Sequence, residues 1–542
     1  MSSDRRWRLL SALLLLALAG VMLSTFLDYG MTGDEGVRHR YGRRLLRFYA
    51  TLGSDRDAVA DVDISRDGGV FEITAGLVEL ASPLDVYETR HLVVVVFALV
   101  GFLAVYDIGN RLGGPPGAFL SLLFLALTPP FYGHSFNNSK DVPFAALFAW
   151  AAAALLRLGD DGLRPRWSRV VVAAVAIGLV AGERVAGLVF LAYAALLWLG
   201  LLYFETTASS PGRSPIGPGL RRLAFAWLVL AGLAWTTMLA FWPWAQTRPL
   251  RNPIQALQMF SNFWDCMVVF YDGVLACSGQ VSRFYLPTWF SLTLPETYLV
   301  AFALAAVILV RLRGRTLSRV ARTRLWEAAW LAFAAGFPVA WAVTMHTPLY
   351  DGLRHFLFVM PILAVLAGIS VAAHMRDRGR SVEAAVAGVV LSAAFLTTLV
   401  DMVQLHPYQV VYFNRVVAGG LERAITRYEG DYWCLSYKEG VEWLQKRYSG
   451  AQCRDRIRVA GNSIFQQTAY YLRKTDQAQR LFQATDGKGD PHFILTTTRH
   501  GDHLNTPGTP VHFVKRQHAA LLYLFQVKPP PCDPLPYSPP AP

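Results

Sequence analysis

Three charged dipeptides lie at the ends of long apolar runs, and each combines groups that can handle a proton or an anion. They are Asp34-Glu35, Lys140-Asp141 and Arg354-His355, and Arg184 is a further candidate cation. Desolvating a charge near a membrane is costly, so these positions need a functional or structural reason. A carboxylate can take a proton from an attacking hydroxyl group, and fixed cations stabilise a departing phosphate. The residue types therefore suit a reaction at a phosphate-linked, lipid-anchored substrate.

The composition places these dipeptides in a membrane protein. Hydrophobic residues make up 54% of the 542-residue chain and charged residues 16%, with a mean hydropathy of +0.32. Soluble domains carry about 25% charged residues. The net charge of +13 comes mainly from basic residues between the apolar runs, where such residues set membrane orientation. This placement predicts an α-helical polytopic membrane protein and no nucleic-acid partner.

Eleven apolar runs are predicted to cross the membrane as helices. They cover residues 9–27, 91–108, 115–132, 144–158, 170–187, 188–204, 223–242, 297–310, 326–344, 356–373 and 383–400. The first run resembles a signal peptide, but no small-residue cleavage site follows it, so we interpret it as an uncleaved span. Arg5, Arg6 and Arg8 then predict a cytoplasmic amino terminus. The fifth and sixth runs are either whole spans or partly re-entrant.

This topology puts the charged dipeptides and Arg184 together on the outer side. The strongly basic short connectors then all fall on the cytoplasmic side, as the positive-inside rule requires. Two long loops, 28–90 and 242–296, also lie outside. The first contains the basic amphipathic segment 37–49, which is predicted to lie among lipid headgroups or to be a solvated helix face.

The chain changes character after residue 400. Residues 401–528 are predicted to form a small extracytoplasmic α/β domain on a transmembrane domain of residues 1–400. This prediction depends on an amphipathic helix pattern at 436–444 and strand patterns at 457–460, 492–496 and 521–527. The proline-rich end, residues 529–542, is predicted to be a disordered tail.

All five cysteines fall on the predicted outer side, where disulfides form. The predicted bridges are Cys266–Cys277 and Cys434–Cys453, which leave Cys532 unpaired, and the alternative is five free thiols. The sequence has no CxxC pair among these cysteines and no histidine partner for them. It therefore does not predict a structural metal site.

The order of several motifs resembles the family-39 glycosyltransferases of the GT-C superfamily. This group includes protein O-mannosyltransferases and the aminoarabinose transferase that modifies lipid A. The resemblance covers residues 1–420 and is carried by Asp34-Glu35, the run Asn138 to Phe144, Phe241-Trp242-Pro243-Trp244 with Asn252-Pro253, the segment Arg354 to Gly368, and the segment His406 to Asn414.

The resemblance implies a GT-C-like integral-membrane enzyme that moves a sugar from a polyprenyl-phosphate donor to an extracytoplasmic acceptor, with inversion. It makes Asp34 the catalytic base, with Glu35 positioning or assisting it. Asp141 would be a second acidic residue that aids the acceptor or a metal. The implied ligands of the donor phosphate are Lys140, Arg354, Arg184 and His355. The acceptor could be a lipid, a glycan or a protein, and the resemblance leaves open whether a divalent cation is required. Similarity to bacterial members implies location in the inner membrane.

The candidate residues also have structural alternatives. The carboxylates of Asp34, Glu35 and Asp141 could cap helices at their positive ends. The cations could extend to lipid headgroups, and Arg184 could simply pair with Glu183.

The whole protein has alternative functions as well. It could be a membrane transporter or lipid flippase, or a ligase for lipid-linked glycans. Transporters place ionisable groups near the membrane midplane, often in repeated halves. Here the charged motifs lie at span ends and no internal repeat is visible, which favours an enzyme.

Overall fold

A computed structural model of the chain describes residues 3–61, 64–208, 216–261, 266–378, 381–462, 465–487 and 489–534. Most of the predicted disordered tail, residues 535–542, lies outside these ranges. In chain order, the helices up to residue 405 are α1 (Ser3–Thr25), α2 (Glu35–Ala50), α3 (Asp57–Ala60), α4 (Val70–Glu79), α5 (Val86–Ala126), α6 (Pro129–His134), α7 (Asp141–Gly159), α8 (Trp167–Glu183), α9 (Val189–Ala208), α10 (Ile216–Ala240), α11 (Pro243–Thr247), α12 (Arg251–Ser261), α13 (Tyr285–Thr293), α14 (Glu296–Leu312), α15 (Arg319–Thr344), α16 (Met360–Arg378) and α17 (Val382–Leu405).

The long apolar helices make this a multi-pass membrane protein. In the described chain, eight helical segments are long and apolar enough to cross a membrane, or nine if the bent pair α13 and α14 forms one span. The sequence predicts eleven. Nine is two fewer than eleven because α5 contains two predicted spans and because α8, at 17 residues, is only about 26 Å long. The lower number, eight, also leaves out α14, which has 17 residues as well. Each predicted span nevertheless coincides with helix over most of its length.

Gly114 divides α5 into two arms that lie side by side. Its φ of 67° falls in the left-handed region that glycine tolerates, and the two prolines that follow it lack a backbone N–H. A Cβ added at Gly117 would lie 2.9 Å from the carbonyl oxygen of Gly109, and one at Gly368 of α16 would overlap Ser121. Small residues therefore let the arms and α16 pack closely, as in other membrane helix bundles.

The segment 242–296 contains a hairpin of β1 (Val268–Tyr271) and β2 (Val274–Cys277). The predicted disulfide between Cys266 and Cys277 closes it, with the two Cα atoms 4.9 Å apart. The predicted Cys434–Cys453 bridge is wrong. Cys453 instead pairs with Cys532 across 79 positions, a partner that sequence spacing cannot indicate. Cys434 is buried and unoxidised, and its sulfur lies 3.8 Å from the Thr497 hydroxyl.

The predicted α/β character of the C-terminal region is confirmed by a five-stranded mixed sheet. Its strands are β3 (Ile457–Gly461), β4 (Phe482–Thr485), β5 (Phe493–Thr497), β6 (Thr509–Arg516) and β7 (Ala519–Gln526), and its helices are α18 (Leu421–Ala424), α19 (Tyr437–Arg447), α20 (Phe465–Leu472), α21 (Asp476–Leu481) and α22 (Asp502–Asn505). The strand order is β4-β3-β5-β7-β6, with β4, β3 and β5 parallel and the other pairings antiparallel. The sequence analysis predicts α19, β3, β5 and β7 but neither β4 nor β6.

Candidate functional site

The structure gathers most of the predicted site residues at one end of the helix bundle. Nη1 of Arg354 lies 3.6 Å from Asp34 and 3.6 Å from Asp141. Arg184 pairs with the other oxygen of Asp141. The ammonium group of Lys140, the residue before Asp141, pairs with a further carboxylate close by. Residues from four distant parts of the sequence thus form one cluster of alternating charges.

Arg354 is the centre of this cluster. It begins a 3-10 turn that leads into α16, and its side chain is buried. Its guanidinium carbon lies 5.2 Å from the ring centroid of Tyr350 and 5.0 Å from that of Trp433. Asp351, three residues earlier and before the 3-10 turn, accepts a 3.0 Å hydrogen bond from it. A buried cation needs such partners, because they replace the water it has lost.

Asp141 is held by its neighbours at the start of α7. The amide nitrogen of Asn138 donates to its carboxylate over 2.9 Å, and the Asn138 side-chain oxygen accepts from its backbone N–H over 2.8 Å. Arg184, at the end of α8, pairs with Asp141. Glu183 is not its partner, because that carboxylate accepts from the backbone N–H of Phe71. The alternatives of a helix cap for Asp141 and a local Glu183–Arg184 pair therefore do not describe this site.

Lys140 forms an ion pair with Asp67, a residue that the sequence analysis does not single out. The Lys140 ammonium lies 2.9 Å from Asp67, which also pairs with Arg38 of α2. Burial, reinforced by the nearby charge of Arg38, lowers the pKa of Lys140 to about 8. Burial alone would raise the pKa of Asp67, but Lys140 and Arg38 outweigh it and hold that pKa well below its usual value.

Asp34 differs from the other carboxylates of the cluster in its exposure. Its side chain is 46% exposed, against 8% for Asp67, 2% for Asp141 and 4% for Asp351. It precedes α2 but makes no capping hydrogen bond to that helix. Because a general base must be reachable by its substrate, Asp34 is the strongest candidate in this cluster.

Glu35 points away from the cluster. Its buried carboxylate lies 3.1 Å from His91 of α5 and accepts a 2.7 Å hydrogen bond from the backbone N–H of Thr32. It thereby anchors the loop that carries Asp34. Gly30 of this loop is pressed against the backbone of Leu435, where a Cβ would overlap the carbonyl oxygen. Of the two roles predicted for Glu35, this geometry favours positioning.

His355 lies beside the cluster and outside its ion pairs. Its ring packs against Tyr350 at 4.8 Å between centroids. Its Nδ1 is buried, and no hydrogen-bond partner for it occurs among the described residues. The structure therefore gives less support to His355 as a phosphate ligand than to Lys140, Arg184 or Arg354.

The C-terminal region supplies residues that the sequence analysis missed. Trp433 covers Arg354, and Arg499 lies 3.2 Å from Asp351. Asp351 could have been noticed, because it stands three residues before Arg354 in a short outer loop. Trp433 and Arg499 carry no local signal, because only the fold brings them to the site.

The cluster offers no set of metal ligands. Across the described ranges, no group of three or more histidine, cysteine or acidic side chains is arranged to hold a metal ion. The carboxylates of Asp67, Asp141 and Asp351 are instead paired with lysine or arginine. The divalent cation that the resemblance left open thus has no evident ligand set in the described chain.

Comparison with known proteins supports the resemblance in one part of the chain. Residues 87–207, less than a quarter of the sequence, match the family model described as dolichyl-phosphate-mannose-protein mannosyltransferase. This segment contains Lys140, Asp141 and Arg184. No curated protein matches the chain.

Several solved structures are similar to the whole chain. ArnT from Cupriavidus metallidurans bound to undecaprenyl phosphate is 17% identical, with a TM-score of 0.48 over 95% of this chain and 97% of that one. The oligosaccharyltransferase of Archaeoglobus fulgidus is 10% identical, with a TM-score of 0.49 over 90% and 69%. The mycobacterial arabinofuranosyltransferase AftD is 14% identical, with a TM-score of 0.40 over 97% and 40%. The resemblance to protein mannosyltransferases that the motifs indicate is confirmed for residues 87–207 by the family model.

Proposed function

We propose that the chain is an integral-membrane glycosyltransferase that moves a sugar from a polyprenyl-phosphate donor to an acceptor hydroxyl group, with inversion. One observation carries this proposal: the exposed carboxylate of Asp34 faces the buried guanidinium of Arg354 across 3.6 Å, within a cluster that also holds Lys140 and Arg184. A proton acceptor and phosphate-binding cations thus share one site. The family model matched by residues 87–207 supports the same chemistry.

The proposed reaction uses the two halves of the cluster differently. The Asp34 carboxylate takes the proton of the acceptor hydroxyl, and the resulting oxygen nucleophile attacks the anomeric carbon of the donor. The bond from that carbon to the phosphate oxygen breaks, and its electron pair stays on the phosphate. Arg354, Arg184 and Lys140 stabilise the charge that develops there. Attack from the face opposite the phosphate inverts the anomeric configuration.

The buried carboxylates have a separate role in this proposal. Asp67, Asp141 and Asp351 each pair with a cation of the site, so they orient the ammonium and guanidinium groups before the donor arrives. Such preorganisation lowers the cost of rearrangement during the reaction. Asp34 is the exposed partner of Arg354, so it can exchange this contact for an acceptor hydroxyl most readily.

We also propose that the site faces the extracytoplasmic side of a bacterial inner membrane, with the amino terminus in the cytoplasm. The two disulfides support this orientation, because both lie in the outer loop or the C-terminal region and disulfides persist in oxidising compartments. The acceptor, whether lipid, glycan or protein, would then approach from the side of the C-terminal sheet.

The test is sugar transfer by Asp34→Asn in membranes that contain normal amounts of the protein. The change keeps the size of the side chain but removes the base, so transfer should fall by about 100-fold or more. Asp28→Asn is the matched control, because Asp28 lies in the same loop, is half-exposed and pairs with His406 outside the cluster. Wild-type transfer by Asp34→Asn would refute the proposal.

The product separates this proposal from the alternatives. A covalent product with one added sugar supports a glycosyltransferase. A pre-assembled oligosaccharide in the product would indicate a ligase for lipid-linked glycans, and solute flux without any covalent product would indicate a transporter.

A further inference from the structure

Residues 429–436, between α18 and α19, form a buried segment that reaches the charge cluster from the C-terminal region. Asp431 fixes its turn, because its carboxylate accepts hydrogen bonds from the backbone N–H groups of Leu435 and Ser436, both over 2.8 Å. The Ser436 hydroxyl donates to the same carboxylate. The two residues that follow Asp431 are thus held in one orientation.

In this orientation, the Trp433 ring contacts the guanidinium group of Arg354. The ring centroid lies 5.0 Å from the guanidinium carbon, which also lies 5.2 Å from the ring centroid of Tyr350. Gln467 of α20 donates a 2.7 Å hydrogen bond to the Trp433 carbonyl oxygen, and the ring meets His134 edge-on at 5.2 Å. Contact with two aromatic rings restricts the guanidinium group, while its N–H groups meet their carboxylate partners.

Tyr432 is linked to Asp141 of the same site through His134 and Asn138. Its hydroxyl lies 2.9 Å from Nε2 of His134, and Nδ1 of this histidine lies 3.3 Å from the amide nitrogen of Asn138. That amide nitrogen also donates to Asp141 over 2.9 Å. Because the amide can only donate, Nδ1 accepts and Nε2 carries the proton that it donates to Tyr432. Burial lowers the pKa of His134 to about 3, which keeps the ring neutral as this arrangement requires.

Arg499 closes a second link between the C-terminal region and the cluster. It donates to the carbonyl oxygen of Tyr432 and lies 3.2 Å from one oxygen of Asp351. The other oxygen of Asp351 lies 3.0 Å from Arg354. The C-terminal region therefore holds Arg354 both through the Trp433 ring and through this carboxylate.

We propose that the C-terminal region completes the transfer site, with Trp433 positioning Arg354 and Tyr432 positioning Asp141. This inference rests on the proposed function, which it extends to two residues outside the matched segment. Neither residue touches the reacting atoms. Trp433 shields the guanidinium group of Arg354 from water and orients it for the donor phosphate. Tyr432 fixes the positions of Asn138 and Asp141 through His134.

The first test measures binding of undecaprenyl phosphate to the purified full chain. Trp433→Leu removes the aromatic ring, and its Kd should rise by up to about 30-fold, the size of a desolvated cation–π contact. Trp433→Phe keeps a ring and should recover most of this affinity. Trp443→Leu is the matched control in the same region, because that ring stacks on His512 of β6 and should leave the Kd unchanged.

The second test uses Tyr432→Phe, which removes only the hydroxyl group. The kcat of sugar transfer should fall about three- to tenfold, the effect of one lost buried hydrogen bond. The Kd for undecaprenyl phosphate should change much less than in Trp433→Leu, because both rings still contact Arg354. This variant is also the fallback if Trp433→Leu does not fold, and an unchanged kcat would then overturn the inference.

A third measurement separates failure of this inference from failure of the proposed function. Phenylglyoxal modifies accessible arginines, and peptide mass spectrometry reports its reaction with Arg354. Modification should be faster in Trp433→Leu than in the wild type or in Trp443→Leu, whatever the protein catalyses. A wild type that neither binds undecaprenyl phosphate nor transfers sugar refutes the proposed function. Unchanged labelling and unchanged Kd in Trp433→Leu refute the positioning role alone.

Discussion

Asp34 and Glu35 are adjacent in sequence but have opposite environments. The helix that begins at Glu35 turns this residue inward, where His91 and Thr32 hold it, while Asp34 stays at the exposed edge beside Arg354. The sequence alone, which shows only two adjacent carboxylates, would allow both to act in catalysis. In the structure, one carboxylate can meet a substrate and the other fixes the loop that carries it.

Lys140 gives a prediction about pH at the scale of one residue. Its pKa of about 8 means that it is charged at pH 7 and loses its proton as the pH rises through 8. Affinity for undecaprenyl phosphate should therefore fall severalfold between pH 7 and pH 9. Lys140→Arg stays charged throughout this range and should keep the affinity that it has at pH 7. Equal losses in both proteins would mean that Lys140 does not bind the phosphate.

At the scale of elements, the chain just before the short helix α4 packs on the end of α8, where two glycines meet. A Cβ on Gly68 would overlap the carbonyl oxygen of Gly182, and Glu183 accepts from the backbone N–H of Phe71 at the start of α4. Gly68 directly follows Asp67, the partner of Lys140. The close approach of these two elements therefore sets the position of one edge of the site.

Gly68→Ala tests this contact. The added methyl group meets backbone, which cannot move aside, so the free energy of unfolding should fall by about 1–3 kcal/mol. Sugar transfer should fall as well, because Asp67 shifts relative to Lys140. Thermal unfolding of the detergent-solubilised protein measures the first effect. Gly388→Ala in α17, where a Cβ would meet nothing within 4 Å, is the control and should not lower the Tm. An unaltered Tm in Gly68→Ala would contradict this description.

At the scale of the whole molecule, the arginine-rich segment 311–324 and the contact of α14 with the C-terminal region lie at opposite ends of α14. Glu296, at the start of α14, accepts a 2.8 Å hydrogen bond from the backbone of Arg415 in the C-terminal region. Arg311 lies fifteen residues further along this helix, about 22 Å away. The connector that follows α14 is thus far from the C-terminal sheet, as the positive-inside rule requires if the sheet is outside.

Reporter fusions test this orientation directly. A reporter fused after Arg319 should stay in the cytoplasm, because the arginines around it are on the inner side. A reporter fused after Leu435 should be exported, because Leu435 lies against Gly30 in the loop that carries Asp34. Alkaline phosphatase activity measures export in each fusion. The opposite pattern would put the proposed site on the cytoplasmic side.

The sequence by itself determined the features that arise from local physics. A bilayer leaves backbone hydrogen bonds no partner but the segment itself, so apolar runs had to become helices, and all eleven predicted spans coincide with helix. Strand patterns located β3, β5 and β7, and of the two predicted disulfides the Cys266–Cys277 bridge is present. The dipeptides at the span ends led to Asp34, Lys140, Asp141 and Arg354 in the same way.

Only the tertiary structure decided which of these residues meet and what surrounds them. The Cys453–Cys532 bridge, the Asp67–Lys140 pair and the Trp433–Arg354 contact each join positions 73 or more residues apart. Asp67 carries no distinctive local pattern, and Trp433 looks like any other buried aromatic residue of the C-terminal region. Their places in the site depend on how the outer loop and the sheet pack on the bundle, and packing of distant segments leaves no periodic signal in one sequence.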